Sequence, residues 1–118
     1  MRLTIERAAL LKALTHVQSV VERRNTIPIL SNVLLTAQDN ALRLTATDLD
    51  IEISESAHAE VERGGQTTAP ASYLYDFVRK LPDGSAVKLD AAGDDPRLFL
   101  SAGKSRLHLP ILPAGDFP

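Results

Sequence analysis

The sequence has 118 residues, no cysteine and a formal net charge of −2 at pH 7. This length suits one ordinary domain with one hydrophobic core. The lack of cysteine excludes disulfides and cysteine nucleophiles, and it is compatible with the cytoplasmic location that we expect. The negative balance argues against nucleic-acid binding over the whole surface, because phosphate contacts need clustered lysine and arginine, but it leaves room for a local basic face.

Apolar residues make up 44% of the chain, whereas aromatic residues make up only 4%. The core must therefore be built from leucine, isoleucine, valine and alanine, which suits sheets and short helices. Charges at Arg2, Glu6, Arg7 and Lys12 interrupt the apolar residues near the start. We therefore expect neither a signal segment nor a membrane span there, and no membrane contact.

The first half of the chain predicts one strand, one helix and then a run of strands. Alternation of apolar and polar residues predicts the strands, and an apolar stripe at helical spacing predicts the helix. Leu49, Ile51 and Ile53 are expected to point inward. The predicted ranges are a strand at residues 2–6, a helix from residue 7 to about residue 22, and strands at residues 26–37, 41–47, 49–56 and 57–62.

The second half predicts a similar order of elements. Pro70 fits a first helical turn, and Leu74, Phe77, Val78 and Leu81 form the apolar stripe of a second helix. The tail at residues 111–118 is predicted to be a linker. The predicted strands of this half lie at residues 66–69, 86–91, 97–102 and 105–110.

This order of elements is an internal repeat, although the residues themselves do not repeat. Two βαβββ halves predict a pseudo-two-fold domain of the α+β class, with both helices on one side of antiparallel sheets. Basic side chains collect on that helical side. Cations near helix C-termini favour the helix dipole, which is one explanation of the cluster, and a sequence-independent DNA contact is the other.

The sequence contains no evident catalytic constellation. Asp48 and Asp50 carry possible metal-binding oxygens, but no histidine lies near them, and Asp48 is better placed to close a turn or cap backbone amides. His16, His58 and His108 fall on separate predicted elements, and no nucleophile has an evident base. We therefore expect no enzyme activity, no metal site and no cofactor.

A resemblance rests on the segments TIPILSNVLL (26–35), LTATDLDIEI (44–53) and SRLHLPILPAGDFP (105–118), joined by RLTIERAALLKAL (2–14) and TTAPASYLYDFVRKLP (67–82). These segments closely resemble one family, the bacterial DNA sliding clamp, which is the beta subunit of DNA polymerase III. The resemblance implies a DNA-clamp fold with residues 1–118 as the N-terminal domain, two similar domains beyond it, and residues 111–118 as the start of an interdomain linker.

The resemblance also implies a function and partners. Two subunits join head to tail into a ring whose helices surround duplex DNA, so that the ring acts as a processivity factor and tethers the replicative polymerase. The polymerase and the clamp loader bind mainly through domains absent from this chain. Contact with DNA is expected to be weak and independent of sequence.

The resemblance places Arg24 where relatives present an arginine to DNA. The predicted DNA-binding residues are Lys12, His16, Arg23, Arg24, Arg79 and Lys80. The predicted subunit-interface residues are Arg97, Lys104, Arg106 and Tyr73, the last in place of a basic residue that some relatives carry.

Two alternative functions remain open at this level. The first is a protein-interaction module without a nucleic-acid role, which binds extended peptides at its exposed strand edges. The second is a small metal-dependent hydrolase that uses Asp48, Asp50 or a histidine.

Overall fold

Two antiparallel sheets and a pair of helices make up the structure, a computed structural model that describes residues 1–21 and 27–118. Arg23, Arg24 and the start of the strand predicted from residue 26 lie outside the described residues. The helices are α1 (Arg7–Val17) and α2 (Ala71–Arg79). The strands are β1 (Arg2–Glu6), β2 (Asn32–Gln38), β3 (Ala41–Thr47), β4 (Glu52–His58), β5 (Glu60–Arg63), β6 (Gly65–Pro70), β7 (Ala86–Asp90), β8 (Arg97–Ala102) and β9 (Ser105–Pro110).

The two halves of the chain exchange their first strands. Sheet A has the strand order β5-β1-β7-β8-β9, and sheet B has the order β4-β3-β2-β6. Strand β1 of the first half therefore lies beside β7 of the second half, and β6 of the second half lies beside β2 of the first. This exchange confirms the predicted pseudo-two-fold α+β domain, because each half completes the sheet of the other.

Both helices lie on one side of the sheets and bury their apolar stripes there. Helix α1 packs against β3, β4 and α2, and it buries Leu10, Leu14 and Val17 completely. Helix α2 buries Leu74 and Val78 completely. Leucine and valine side chains from the inward positions of the strands fill the space between, so the core forms one cluster.

The two largest errors in the predicted boundaries each arise because a local group competes with the regular backbone pattern. Helix α1 ends at Val17, not near residue 22, and a 3-10 turn follows at Gln18–Val20. The Ser19 hydroxyl donates to the His16 carbonyl oxygen at 2.8 Å, which satisfies a carbonyl of the last helical turn. The expected strand from residue 26 begins only at Asn32, because Pro28–Ser31 forms a 3-10 turn that starts with a residue lacking an amide donor.

The expectation that Leu49 and Ile51 point inward was also wrong. Leu49 is 60% exposed to solvent, and Ile51 is 57% exposed. Both residues belong to a turn that precedes β4, and Leu49 adopts a φ of 83° in the left-handed region. The Thr47 hydroxyl oxygen accepts the Leu49 amide at 3.0 Å and donates to the Ile51 carbonyl oxygen at 2.8 Å. Ile53, the third predicted inward residue, does pack against the core.

The tail after β9 is bonded to the body of the domain. The Leu112 amide donates to the Thr68 hydroxyl oxygen at 3.2 Å, and that hydroxyl donates back to the Leu112 carbonyl oxygen at 2.7 Å. Asn32 donates to the same oxygen at 3.0 Å, and both Asn32 and Thr68 are buried. The Ile111 amide also donates to the Pro96 carbonyl oxygen at 3.0 Å. The tail therefore bridges the two sheets, and its role as the start of a linker stays a prediction.

Arg7, the first residue of α1, caps the C-terminal end of α2. Its Nε donates to the Val78 carbonyl oxygen at 3.1 Å and its Nη2 to the Arg79 carbonyl oxygen at 3.0 Å. These carbonyls lie in the last turn of α2, where the helix dipole also favours a cation. The Arg7 side chain is only 14% exposed, whereas its ion-pair partner Asp83 is fully exposed. The carbonyl contacts, not the ion pair, therefore account for most of what Arg7 contributes.

We predict that Arg7→Leu lowers the free energy of unfolding by about 2 kcal/mol, because two carbonyls in the last turn of α2 lose a charged donor. Urea denaturation followed by circular dichroism measures this change. The matched control is Asp83→Ala, which removes only the exposed ion pair and should change stability by less than about 0.5 kcal/mol. An equal loss of unfolding free energy in the two variants would show that the carbonyl contacts of Arg7 do not stabilise the domain.

Candidate nucleic-acid interface

The side of the helix pair that faces away from the sheets carries most of the predicted DNA-binding residues. On α1, the exposed positions recur at helical spacing opposite the buried stripe, and on α2 the exposed residues follow the same rule. The exposed residues are Ala8, Lys12, Thr15 and His16 on α1, and Tyr73 and Arg79 on α2, with Lys80 at the C-terminal cap of α2.

Among the predicted DNA-binding residues that the structure describes, Lys12 and Lys80 are those whose charge is not shared with a carboxylate. Both are exposed, and neither forms an ion pair with any residue in the described ranges 1–21 and 27–118. Lys80 also lies at the C-terminal end of α2, where it complements the helix dipole. Helix stability therefore explains part of its placement, but Lys12, in the middle of α1, has no such explanation.

His16 and Arg79 already have partners within the domain. His16 Nδ1 lies 2.8 Å from Oε1 of Glu55 on β4. The Arg79 guanidinium lies 3.5 Å from the Asp76 carboxylate and 5.8 Å from the centre of the Tyr75 ring. These carboxylates reduce the positive potential near both side chains, so His16 and Arg79 are weaker candidates for phosphate contact than the two lysines.

A second basic cluster lies around β9, one of the two edge strands of sheet A. Arg106 lies on β9, Lys104 lies in the turn before it, and Arg97 begins the neighbouring strand β8. The structure thus brings together Lys104 and Arg106, whereas Arg97, the register partner of Pro110, lies at the other end of the β8–β9 hairpin. Tyr73 lies on α2 instead, with 63% of it exposed.

Arg97 is held in place by Asp95. Its Nε and Nη2 donate to the two carboxylate oxygens at 3.0 and 3.3 Å, and its guanidinium lies 5.0 Å from the centre of the Phe99 ring. This paired hydrogen bonding lowers the pKa of Asp95 and raises that of Arg97. A partner carboxylate that binds Arg97 must therefore compete with Asp95, whereas Lys104 and Arg106 form no ion pair with any described residue.

Strand β4, one of the two edge strands of sheet B, has the opposite charge, a feature that the sequence pattern did not reveal. Strand β4 carries Glu52 and Glu55, and the turn before it carries Asp48 and Asp50. The acidic residues are visible in the sequence, but their significance depends on sheet order, which places β4 and β9 at outer edges of different sheets. The domain therefore has an acidic sheet edge at β4 and a basic sheet edge at β9.

Asp48 caps its own turn, as predicted. Its Oδ1 accepts the amides of Asp50 at 2.9 Å and Ile51 at 2.7 Å. In the part of the chain that the structure describes, no three histidine, aspartate or glutamate residues are grouped as metal ligands would be. The oxygen proposed as a possible metal ligand is thus occupied by backbone donors.

Neither of the described helices is long and apolar enough to cross a membrane.

Comparison with known proteins identifies the family. The family model of the DNA polymerase III beta subunit, N-terminal domain, matches residues 1–118. The chain belongs to this family. A relative from Caulobacter vibrioides, the beta sliding clamp, is 66% identical over 118 residues, which cover all of this chain and 32% of the relative. A beta sliding clamp from Pseudomonas putida is 45% identical over 119 residues, again covering 32% of that protein.

Solved structures of this family share the fold. The DNA polymerase sliding clamp from Caulobacter crescentus superposes with a TM-score of 0.97 at 66% identity, covering all of this chain and 32% of the other. A sliding clamp from Bartonella birtlesii, described as bound to griselimycin, gives a TM-score of 0.95 at 47% identity and is covered to 31%. The chain thus spans about a third of the length of these relatives.

We predict that the Asp48 carboxyl titrates below the usual range of aspartate, because the amides of Ile51 and Asp50 donate to it and lower its pKa. Because the pKa of Asp48 is lower in the folded state than in the unfolded state, the cap contributes its full stabilisation at pH values above the unfolded-state pKa. That contribution is lost as pH falls through the folded pKa. Carboxyl-detected NMR titration measures the midpoint.

The control for this titration is Asp48→Asn, which keeps an acceptor oxygen but removes the charge. In that variant, the amide shifts of Asp50 and Ile51 should no longer follow the low-pH midpoint. A midpoint for Asp48 equal to that of an unstructured peptide would show that the amides do not hold the carboxylate in solution.

Proposed function

We propose that this chain is one domain of a ring-shaped sliding clamp that encircles duplex DNA and tethers the replicative DNA polymerase. The observation that carries the proposal is the pair of adjacent helices that present Lys12 and Lys80 on one surface of a domain of this family. The domain acts as a processivity factor without catalysis or a cofactor, and it works in the cytoplasm. The polymerase and the clamp loader bind mainly through other parts of the ring.

The charges on the two sheet edges support a ring. A contact between two different surfaces, repeated head to tail, closes into a ring when the rotation between neighbours allows it. In this domain, the basic edge contains Lys104 and Arg106, and the acidic edge contains Glu52 and Glu55. A basic edge meeting an acidic edge on its neighbour would favour the head-to-tail orientation, because like edges repel.

The helix surface suits a contact that holds DNA weakly. A sequence-independent contact uses phosphates, and few phosphate contacts allow the protein to slide. A ring does not need high affinity, since its topology prevents escape. The overall charge of −2 is compatible with this function, because a negative outer surface would keep DNA inside the hole.

We predict that Lys12→Gln and Lys80→Gln each weaken the DNA contact of the chain and reduce its salt dependence. Each lost phosphate contact should lower the slope of log affinity against log salt by about 0.9. Fluorescence anisotropy of a short labelled duplex, over a salt series that starts at low ionic strength, measures the slope. At physiological salt, the chain alone should bind barely or not at all.

The matched control is Arg43→Gln, which removes an exposed cation from the side of β3 that faces away from the helices. It should leave the slope unchanged. If this variant lowered the slope as much as the two lysine variants, the helix surface would not be the DNA contact. A second readout uses a chimera in which this domain replaces the matching third of the Caulobacter vibrioides relative. The lysine variants should shorten the retention of that chimera on circular DNA.

We also predict that reversing the basic edge weakens subunit association. In the same chimera, Lys104→Glu combined with Arg106→Glu should raise the dissociation constant of the subunits at least about tenfold at low salt, because like charges then meet across the contact. Sedimentation velocity over a range of protein concentrations measures it. Arg43→Glu is the control. Unchanged subunit association of the double variant would show that the basic edge is not part of the subunit interface.

A further inference from the structure

The face of sheet A that points away from the helices contains an open groove of about 670 Å³. Its floor is formed by outward side chains of β1, β7, β8 and β9. Strand register orders these side chains into rows that cross the sheet. One row is Thr4, Lys88, Ser101 and Arg106, in which each residue is the register partner of the next.

Every side chain in this row is a hydrogen-bond donor, and we call it the donor row. Adjacent strands lie about 4.8 Å apart, so Lys88 and Arg106 flank Ser101 at a distance that their long side chains can span. None of the four side chains forms a hydrogen bond or an ion pair with any residue in the described portion of the chain. The row therefore offers two hydroxyls and two cations to a ligand.

The neighbouring row is already satisfied, which makes the donor row distinctive. Arg2 lies 3.4 Å from the Glu62 carboxylate, and Arg63 lies 3.4 Å from the Asp90 carboxylate. Further along the same row, the Phe99 ring contacts the His108 ring at a centroid distance of 6.0 Å. Of these groups, all but Arg63 line the groove and form one wall of it, partly charged and partly aromatic.

The charges of the groove select the kind of anion that fits. Two carboxylates, Glu62 and Asp90, line the groove close to the donor row. Each of these carboxylates is paired with an arginine, Glu62 with Arg2 and Asp90 with Arg63, so the free positive charge of the groove lies on the donor row. A polyanion such as a nucleic-acid strand cannot place one phosphate on the row without bringing others near groups that carry no net positive charge. A single carboxylate needs only the two free cations of the row. Charge-assisted hydrogen bonds from arginine, lysine and a hydroxyl suit its oxygens, and an apolar neighbour would contact Phe99.

We propose that the donor row is a docking site for a single aspartate or glutamate side chain of a partner protein, presented beside an apolar residue. This site goes beyond the proposed clamp function and does not depend on it. Arg106 also belongs to the basic edge, but Lys88 and Ser101 lie inside the sheet, on strands that have neighbours on both sides. Variants of Lys88 and Ser101 therefore separate this site from contacts made at the sheet edge.

The experiment titrates the isotope-labelled chain with the peptide acetyl-Leu-Glu-Leu-amide and with its neutral counterpart acetyl-Leu-Gln-Leu-amide. We expect saturable shifts of the Lys88 and Ser101 amides with the glutamate peptide only, with a dissociation constant on the order of 1 mM for so small a ligand. Lys88→Gln and Ser101→Ala should each weaken binding about fivefold or more, because each removes one donor to the carboxylate. Both variants should retain the wild-type amide spectrum elsewhere.

Arg43→Gln is the matched control, an exposed strand arginine outside the groove, and it should bind the glutamate peptide as the wild type does. Equal shifts with both peptides, or equal weakening by the control, would overturn the proposal. So would shifts of the same amides by a short DNA duplex at the same ionic strength, since they would indicate a phosphate site. Lower self-association of Lys88→Gln in sedimentation would assign the row to contacts between copies instead.

Discussion

The exchange of first strands between the two halves is the constraint on which the other features depend. Because β1 completes the sheet of β7 to β9, and β6 completes the sheet of β2 to β4, neither half can bury its core alone. The exchange brings both helices to the same side, and Arg7 then reaches the last turn of α2. The placement of Lys12 and Lys80 on two helices in contact, and of β4 and β9 at edges of different sheets, follows from this one arrangement.

Element order and inward positions were predictable wherever one periodicity extends along a whole element. Leu3 and Ile5 on β1, and Leu10 and Leu14 on α1, are buried as their spacing requires. The prediction was wrong at Leu49, where backbone amides donate to the side chains of a preceding threonine and aspartate and so impose a turn on residues that otherwise continue an alternating pattern. A pattern of hydrophobicity contains no information about such a local competitor.

The candidate site was predictable only as a set of residue types on a helix face. Sequence spacing places Lys12 and His16 on one side of α1, but it cannot show that His16 faces Glu55, which is 39 positions away in the chain. The opposite charges of the β4 and β9 edges could not be predicted either, because that prediction requires the order of strands in both sheets. The distinction between free and paired cations depends on long-range contacts, which determine the electrostatics of the surface.

The bonds between the tail and Thr68 have a mechanical consequence. The tail follows β9 of sheet A, yet it is bonded to β6 of sheet B. Tension applied along the chain at Pro118 would therefore act on the hydrogen bonds of Thr68 before it could separate β9 from its sheet. The hydrogen bonds between the tail and β6 would therefore break before the backbone hydrogen bonds between β9 and β8. The buried Asn32, which donates to Thr68, would resist the displacement of Thr68.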